Sequence, residues 1–543
     1  MPQFLTRCAV LLGAVALLNA CAMGPGLFGA SQADRLERHV ARLSSDAFEG
    51  RGTGTEGFEK AAAYVARNFA RYGVEPALPD YRQPVPLLAI DPDSVDGALS
   101  LVVGGSSLKL EPGEDVGFFP PSDGRAPGLV AEASGPLVFV GDGVVAPSLG
   151  LRPYEGVDVR GKIVVMVRGA MPISDRATEV HVQRFDVKRA EAARRGARGV
   201  ILIDPEDRDV TRLTRLRGGH PDGSLYLGAG LGRPMPAAVV SHEAIRPLFA
   251  ASGKNLDDIL DAARKGEAPS FAMAGAATLA TSASAKAVPA FNVVGVVPGN
   301  DPELSAEAVV VTAHLDHLGM RQPRNGNPVD EDGQPVDLIY NGALDNATGT
   351  AIIMEAARRL AEAGGSARSV IFAAVTAEEA GLLGSAHLAR NIEALGYAPV
   401  ANVNIDMPVL TYPLNDIIGF GEGYSSLAEP LRAAAAEVGL VATPDPLPEL
   451  SLFVRSDHYR FVQEGIPALF LFNGMSGEGA ERFQEFMRTH YHRPSDEVSL
   501  PINWDDAATL TDLTLDLVTR IADEPERPRW NPGVVFDPGV QAG

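Results

Sequence analysis

Cysteine is nearly absent. The 543 residues include two, Cys8 and Cys21, both within the first 21 positions. That excludes a disulfide framework and any thiolate zinc site, so a metal in this chain has to be held by imidazole and carboxylate. Basic residues are also few, with 47 Lys and Arg against 69 Asp and Glu and a net charge of −22. A surface that tracks phosphates needs the opposite balance, which argues against nucleic acid as a partner. Beyond the N-terminus no apolar run reaches the roughly 20 residues needed to cross a bilayer. The 57 Gly and 41 Pro are scattered without a triplet period, which rules out a collagen-like chain. What is present is ordinary globular composition, 45% hydrophobic and 21% charged. At roughly 100–200 residues per domain, the length suits about two to four domains.

The position of the two cysteines explains them. Arg7 precedes an apolar stretch from Cys8 to Leu18 that is too short to span a bilayer. Leu18-Asn19-Ala20-Cys21 follows and resembles a bacterial lipoprotein signal, although Asn19 stands where a small or β-branched residue is usual. The resemblance implies that residues 1–21 are a signal peptide and that Cys21 carries lipid after cleavage. With Ala22 next, it places the chain on the periplasmic side of the outer membrane, with Cys21 its only membrane attachment. The alternative is an ordinary secretory signal cut near Ala22, giving a soluble periplasmic or secreted protein.

Three textures follow. Residues 22–88 read as the N-terminal part of a larger domain, with helical spacing at Leu36, Val40 and Leu43 and again at Ala62, Val65 and Phe69. Between these helices lies a glycine-rich turn, Ser45 to Gly54. Residues 89–287 read as an inserted β-rich unit, with short apolar runs at Leu99–Val103, Leu137–Val140, Ile163–Val167 and Gly199–Ile203 and one helix from Phe185 to Arg195. The two strands around that helix, Ile163–Val167 and Gly199–Ile203, resemble the protease-associated (PA) domain. The small-residue stretch from Ser270 to Ala287 reads as the return linker.

From 288 to 523 apolar strands alternate with helices. Ala308–Thr312, Ser369–Thr376, Val400–Ile405 and Ile466–Phe472 are continuous runs, with helices over Ala347–Ala363, Leu382–Leu395 and Trp504–Ile521. This pattern predicts an α/β domain, a mixed, mainly parallel sheet with helices on both faces. Residues 524–543 read as a Pro-rich tail strapped over the surface.

The polar residues fall where such a sheet puts its site. His314 and Asp316 follow one strand, Glu378 and Glu379 a second, and Asp406 a third, and carboxyl ends of strands line the crevice of an open α/β sheet. Asp345 opens a helix, and His492 lies in a loop after the last strand. Singly, each has a plain explanation as a helix cap, a helix-end charge or a solvated loop residue. Together they offer only hard oxygen and imidazole donors, which suit Zn²⁺. Six of the ten histidines lie between 314 and 492.

Five blocks carry a closer likeness: Ala313-His314-Leu315-Asp316-His317-Leu318-Gly319, Asn341-Gly342-Ala343-Leu344-Asp345-Asn346, Thr376-Ala377-Glu378-Glu379-Ala380-Gly381, Asn404-Ile405-Asp406-Met407 and Tyr491-His492. In order and spacing they resemble the co-catalytic zinc aminopeptidases of peptidase family M28. The resemblance implies the phosphorylase/hydrolase-like fold of zinc exopeptidases and two zinc ions. Asp345 would bridge them, with His314 and Asp406 completing one shell and Glu379 and His492 the other. It implies Glu378 as general base and Asp316 as the residue that orients the His314 imidazole. His458, in Ser456-Asp457-His458, reads as a pocket residue that meets the substrate or the transition state. His317 and His490 read as spacers or supporting residues, and Asp330-Glu331-Asp332-Gly333 as a solvated loop. The function implied is an exported dizinc exopeptidase removing amino-terminal residues from peptides. Alternatives within the family are a carboxypeptidase, a single-zinc glutaminyl cyclase or a non-catalytic scaffold. The intact set of donors argues against the last two.

Overall fold

Helix α1 (Gln32–Leu43) starts where Ser31 and Asp34 cap each other reciprocally, and α2 (Glu56–Arg71) where Thr55 accepts from the backbone of Phe58. The structure, a computed structural model, describes residues 30–122, 129–169, 171–216, 220–228, 234–322, 329, 333 and 335–541. The expected signal peptide and most of the acidic stretch at 330–333 lie outside the described residues.

Strand β1 (Arg82–Ile90) leads into the insert, whose strands are β2 (Asp96–Val103), β3 (Ser106–Lys109), β4 (Val116–Ser122), β5 (Val130–Val140), β6 (Ile163–Val167), β7 (Gly199–Ile203), β8 (Ser224–Leu227), β9 (Met235–Val240) and β10 (Ser270–Ser282). All but β8 form an eight-stranded sheet in the order β3-β2-β10-β5-β6-β7-β9-β4. Strands β5, β6, β7 and β9 run parallel within it. Of its helices α3 (Arg176–Gln183), α4 (Phe185–Arg194), α5 (His242–Ala251) and α6 (Leu256–Arg264), the last three pack on it, so the unit carries more helix than the single one expected from the sequence. The expected return linker is instead a thirteen-residue strand, β10. Its sequence alternates: Met273, Ala277, Leu279 and Thr281 are buried while their neighbours face out. Small residues suit it because a Cβ on Gly275 would lie 2.5 Å from Leu248.

The chain returns through β11 (Ala285–Val297) and β12 (Glu307–His314), then α7 (Thr348–Glu362), β13 (Ser369–Val375), α8 (Leu383–Asn391), β14 (Ala398–Ile405), β15 (Ile417–Phe420), α9 (Ala428–Glu437), α10 (His458–Gln463), β16 (Ala468–Asn473), α11 (Gly479–Thr489) and α12 (Trp504–Asp523). The second sheet has nine strands, in the order β15-β16-β14-β12-β13-β11-β1-β8, with a short strand at Glu75–Pro76 also on β11. Strands β16, β14, β12 and β13 are parallel to their neighbours at the centre, and the flanking pairs are antiparallel. Helices α1, α7, α9 and α12 pack together on one face, and α8 and α10 on the other. Coverage on both faces explains why β12, β13 and β14 are buried along nearly their whole length rather than at alternate positions.

Three of the contacts that join the insert to this sheet stand out. Strand β8 pairs with β1, and His181 of α3 bonds the Tyr459 hydroxyl of α10 at 2.8 Å. The third is the tail, expected as a surface strap. Val535 is buried against Val144, Ala146 and Val182 of the insert, and Phe536 stacks edge-on to His181, Tyr424 and Phe453. The apolar Val534-Val535-Phe536 run drives this burial within an otherwise polar, Pro-rich tail.

Candidate metal centre

Three adjacent parallel strands end together. His314 is the last residue of β12, Glu378 and Glu379 follow β13, and Asp406 follows β14. Asp345 arrives from a single turn at 343–347 ahead of α7. Asn346 fixes that turn against the neighbouring strand: its Nδ2 donates to the Ile405 carbonyl at 2.9 Å, and its Oδ1 accepts from Gly349 and Met407. Gly349 is required here, since a Cβ would lie 2.1 Å from Asn346 Oδ1. Asp496 holds the turn from the other side, accepting the backbone N–H groups of Leu344 and Asp345 at 3.0 Å each.

The result is one carboxylate facing two donor groups. Asp345 Oδ1 lies 3.2 Å from His314 Nε2, which is 2.9 Å from Asp406 Oδ1. Asp345 Oδ2 lies 3.4 Å from His492 Nε2, which is 3.0 Å from Glu379 Oε2. The structure thus gathers all five sequence-derived ligand candidates in the predicted grouping. It adds a sixth side chain: His317, read from sequence as a spacer or supporting residue, bonds Glu379 Oε1 through Nδ1 at 2.7 Å and comes within 3.9 Å of Asp345 Oδ2. The cue was there in the His-x-Asp-His spacing, since residue 317 returns toward the centre on the far side of the loop. Glu378 lines the same small cavity as Asp345, Asp406 and His492.

Two expectations are corrected. Asp316 orients His314, but through its backbone carbonyl, 2.9 Å from Nδ1. Its carboxylate turns away and accepts from Thr53 Oγ1 at 3.1 Å and the Glu378 backbone N–H at 3.2 Å. The loop folds back after β12, so the main chain, not the side chain, reaches the ring. His458 is not a pocket residue. It is fully buried, its Nε2 sits 2.6 Å from the Phe453 carbonyl, and its ring packs between Phe453 and Phe470. Burial pulls it down to about 3, so it stays neutral. Its neighbour Ser456 is the one that reaches the centre, donating to Asp406 Oδ2 at 2.5 Å.

The electrostatics follow from burial and crowding. Burial pushes Glu378 well above the ordinary glutamate range, and Asp406 and Glu379 add to this against the pull of His314. Burial also raises Asp316 to about 6. Glu379 goes the other way: despite burial and the adjacent Asp345, His317 and His492 hold it near 2. Burial lowers His492, but Asp345 and Glu379 outweigh it and lift the imidazole to about 10.

Several carboxylates and imidazoles converging this closely fit divalent cations. Two trios have donor atoms all within 4.8 Å of one another: His314, Asp345 and Asp406, and His317, Asp345 and Glu379. Asp345 Oδ2 is buried without a hydrogen-bond partner, as expected of an atom that a cation would satisfy. The cavity beside Asp345, about 60 Å³, has Met407, Leu452, Phe470, Phe472, Phe483 and Tyr491 among its apolar walls, with Arg455 also lining it, and Tyr491 stacks on His492 at 3.8 Å between ring centroids. A larger cavity of about 1370 Å³ lies between α4 and the α8–α10 face and includes none of these donors.

Residues 292–518 match the model of peptidase family M28, and residues 133–248 that of the PA domain. Leucine aminopeptidase 1 of Arthroderma gypseum is 26% identical over 241 residues, covering 42% of this chain and 58% of that protein. Leucine aminopeptidase 1 of Trichophyton equinum is 26% identical over 243 residues, with the same shares of 42% and 58%. The chain therefore spans 58% of the length of these relatives. Among solved structures, the aminopeptidase from Aneurinibacillus sp. strain AM-1 aligns over 93% of this chain and 95% of its own, at 20% identity and a TM-score of 0.40. A zinc aminopeptidase from Bacillus subtilis aligns over 91% and 95%, at 20% identity and a TM-score of 0.41. Over residues 292–518 the chain is thus similar to peptidase family M28, and the unit set into its sheet is similar to the PA domain.

Proposed function

We propose that this chain is an exopeptidase that hydrolyses amino-terminal residues from peptides with two zinc ions. The observation that carries the reading is Asp345, whose two oxygens each face a separate histidine–carboxylate pair. Zinc at such a site supplies Lewis-acid polarisation of a carbonyl and lowers the pKa of water. His314 and Asp406 would hold one ion, Glu379 and His492 the other, and His317 keeps Glu379 in place. Glu378 takes the proton from the attacking water and hands it to the leaving amine. Burial raises its pKa above the ordinary glutamate range, which favours a carboxylate that both accepts and returns a proton. The apolar walls at Met407, Phe470 and Phe472 accept an uncharged side chain. The names of the relatives, leucine aminopeptidases, are consistent with that choice.

One observation favours a second reading, a carboxypeptidase. Arg455 lines the same cavity and makes no ion pair with a carboxylate among the described residues, so it could meet a substrate carboxylate. Cleavage of a peptide and its acetylated twin decides between them. Loss of most activity on acetylation, with release of the first residue, supports the aminopeptidase. Equal cleavage of both, with release of the last residue, replaces it by the second reading. We also propose export and lipid attachment at Cys21. Membrane-fraction protein that stays membrane-bound after Cys21→Ser would rule that anchor out.

A further inference from the structure

The glycine-rich turn between α1 and α2 supplies no metal donor, yet it is bonded to three of the loops that do. Arg51 is completely buried, at 0% exposure. Its Nε donates to the Leu315 carbonyl at 2.8 Å, one terminal nitrogen to Leu43 at 2.7 Å and Asn341 at 2.6 Å, and the other to Gly342 at 2.9 Å. Leu315 follows His314, and Gly342 opens the turn that presents Asp345. One planar guanidinium therefore ties the loop of one donor to the loop of the shared donor, which the single ammonium of a lysine cannot reproduce.

Two residues on, Thr53 reaches the third loop. Its Oγ1 donates to Asp316 Oδ2 at 3.1 Å and accepts the Ala377 backbone N–H at 3.2 Å, while Asp316 Oδ1 accepts from Glu378. The turn is moulded to this place. The Arg51 carbonyl accepts from the His317 backbone at 3.3 Å, Arg51 itself sits at a left-handed φ of 52°, and a Cβ on Gly50 would lie 2.5 Å from the Tyr340 carbonyl. Among the described residues no carboxylate is bonded to Arg51. Its counter-charges are the neighbouring Asp496, Asp345, Asp316 and Glu379. A buried cation satisfied by carbonyls is a poor device for stability, and a left-handed arginine adds strain of the kind found at working sites.

We infer that Arg51 and Thr53 form a positioning clamp, which holds the 314–317, 341–345 and 376–379 loops in register so that Asp345 faces both donor groups. The inference rests on the functional reading above, in that it takes those groups to hold metal. The clamp acts before metal arrives, so it also has a metal-independent readout.

The test uses the full chain as wild type, Arg51→Lys and Thr53→Val. Far-UV circular dichroism checks folding, Co²⁺ titration with visible spectra reads the centre, and hydrogen exchange reads the loops without metal. We expect Co²⁺ affinity to fall about 10–100-fold in each variant, the range for residues that support metal ligands, with an altered Co²⁺ spectrum. Exchange at amides 314–317 and 341–345 should speed up in Arg51→Lys. A folded Arg51→Lys with wild-type affinity, spectrum and exchange overturns the clamp, whatever its melting temperature. If Arg51→Lys does not fold, Thr53→Val, which keeps the side-chain volume, decides on the same criteria. If the wild type binds Co²⁺ but cleaves no peptide, the functional reading fails while the clamp is still judged by the spectra. If it binds none, unchanged exchange at 341–345 sinks the clamp and faster exchange keeps it.

Discussion

The backbone N–H of Glu378 donates to the Asp316 carboxylate at 3.2 Å, and the Asp316 carbonyl meets His314 Nδ1 at 2.9 Å. One residue thus sets both the proposed base and the first imidazole, with its two ends. Glu378→Gln keeps that backbone bond and loses only the proton acceptor. Activity should fall about 100-fold or more, the scale of general-base catalysis, with metal content unchanged by elemental analysis. Near-wild-type turnover in that variant would take the base role away from Glu378.

Asp345 is the point where the two donor groups meet. Asp345→Ala removes an oxygen from each, so both sites should lose affinity together. Asp406→Ala should weaken mainly the group built on His314. Titration with a chromophoric chelator separates these outcomes. A stepwise loss in Asp345→Ala, with one tight site left, would show that its carboxylate does not bridge.

Most of this centre was legible because its donors sit at strand ends, and strand ends can be read from apolar runs such as Val309–Val311 and Ile371–Ala374. The helix start at Asp345 and the loop at His492 could be placed from the same pattern, and only their roles rested on the resemblance. What escaped depends on long-range packing. Nothing in the local sequence says that Arg51 is buried beneath residues 315 and 341, or that Asp496 accepts from the Asp345 turn. His458 was misread because its neighbours Ser456 and Asp457 share the block, and one residue of helical rotation sends the ring into the aromatic core. Strand β10 escaped because small residues resemble a linker until the inward positions Met273, Ala277 and Leu279 are seen to alternate. The tail escaped for the opposite reason, since a short apolar run amid prolines gives no sign of the partner that covers it.

That tail makes a measurable claim about the joint between the insert and the peptidase sheet. Phe536 is 2% exposed and touches His181, Tyr424, Phe453 and Trp530. Phe536→Ala should cost about 3–5 kcal/mol, as for other buried aromatic truncations, read as a lower urea midpoint. Proteolysis should then cut first near the joint. A midpoint unchanged within error would mean that the tail does not dock there.

The same joint should weaken in acid through His181. The ring is 5% exposed, and burial pulls its pKa from 6.5 to about 4, with Asp186 opposing. The neutral ring bonds the Tyr459 hydroxyl. In the unfolded chain the imidazole takes up its proton near the ordinary value of about 6.5. Between pH 6.5 and 4 the unfolded state therefore binds more protons than the folded one, and stability rises with pH across that window. The contribution is fully present above about pH 6.5 and is lost as pH falls toward 4. Two units of that window correspond to about 2–3 kcal/mol. His39 and His458 are buried neutral in the same way, with values of about 4 and about 3, so the wild-type slope contains all three. The measurement is therefore a difference. Urea unfolding of wild type and His181→Gln at pH 7 and pH 4.5 should show the wild type losing about 2 kcal/mol more than the variant on acidification. Equal losses in the two proteins would mean that His181 does not remain neutral at the joint.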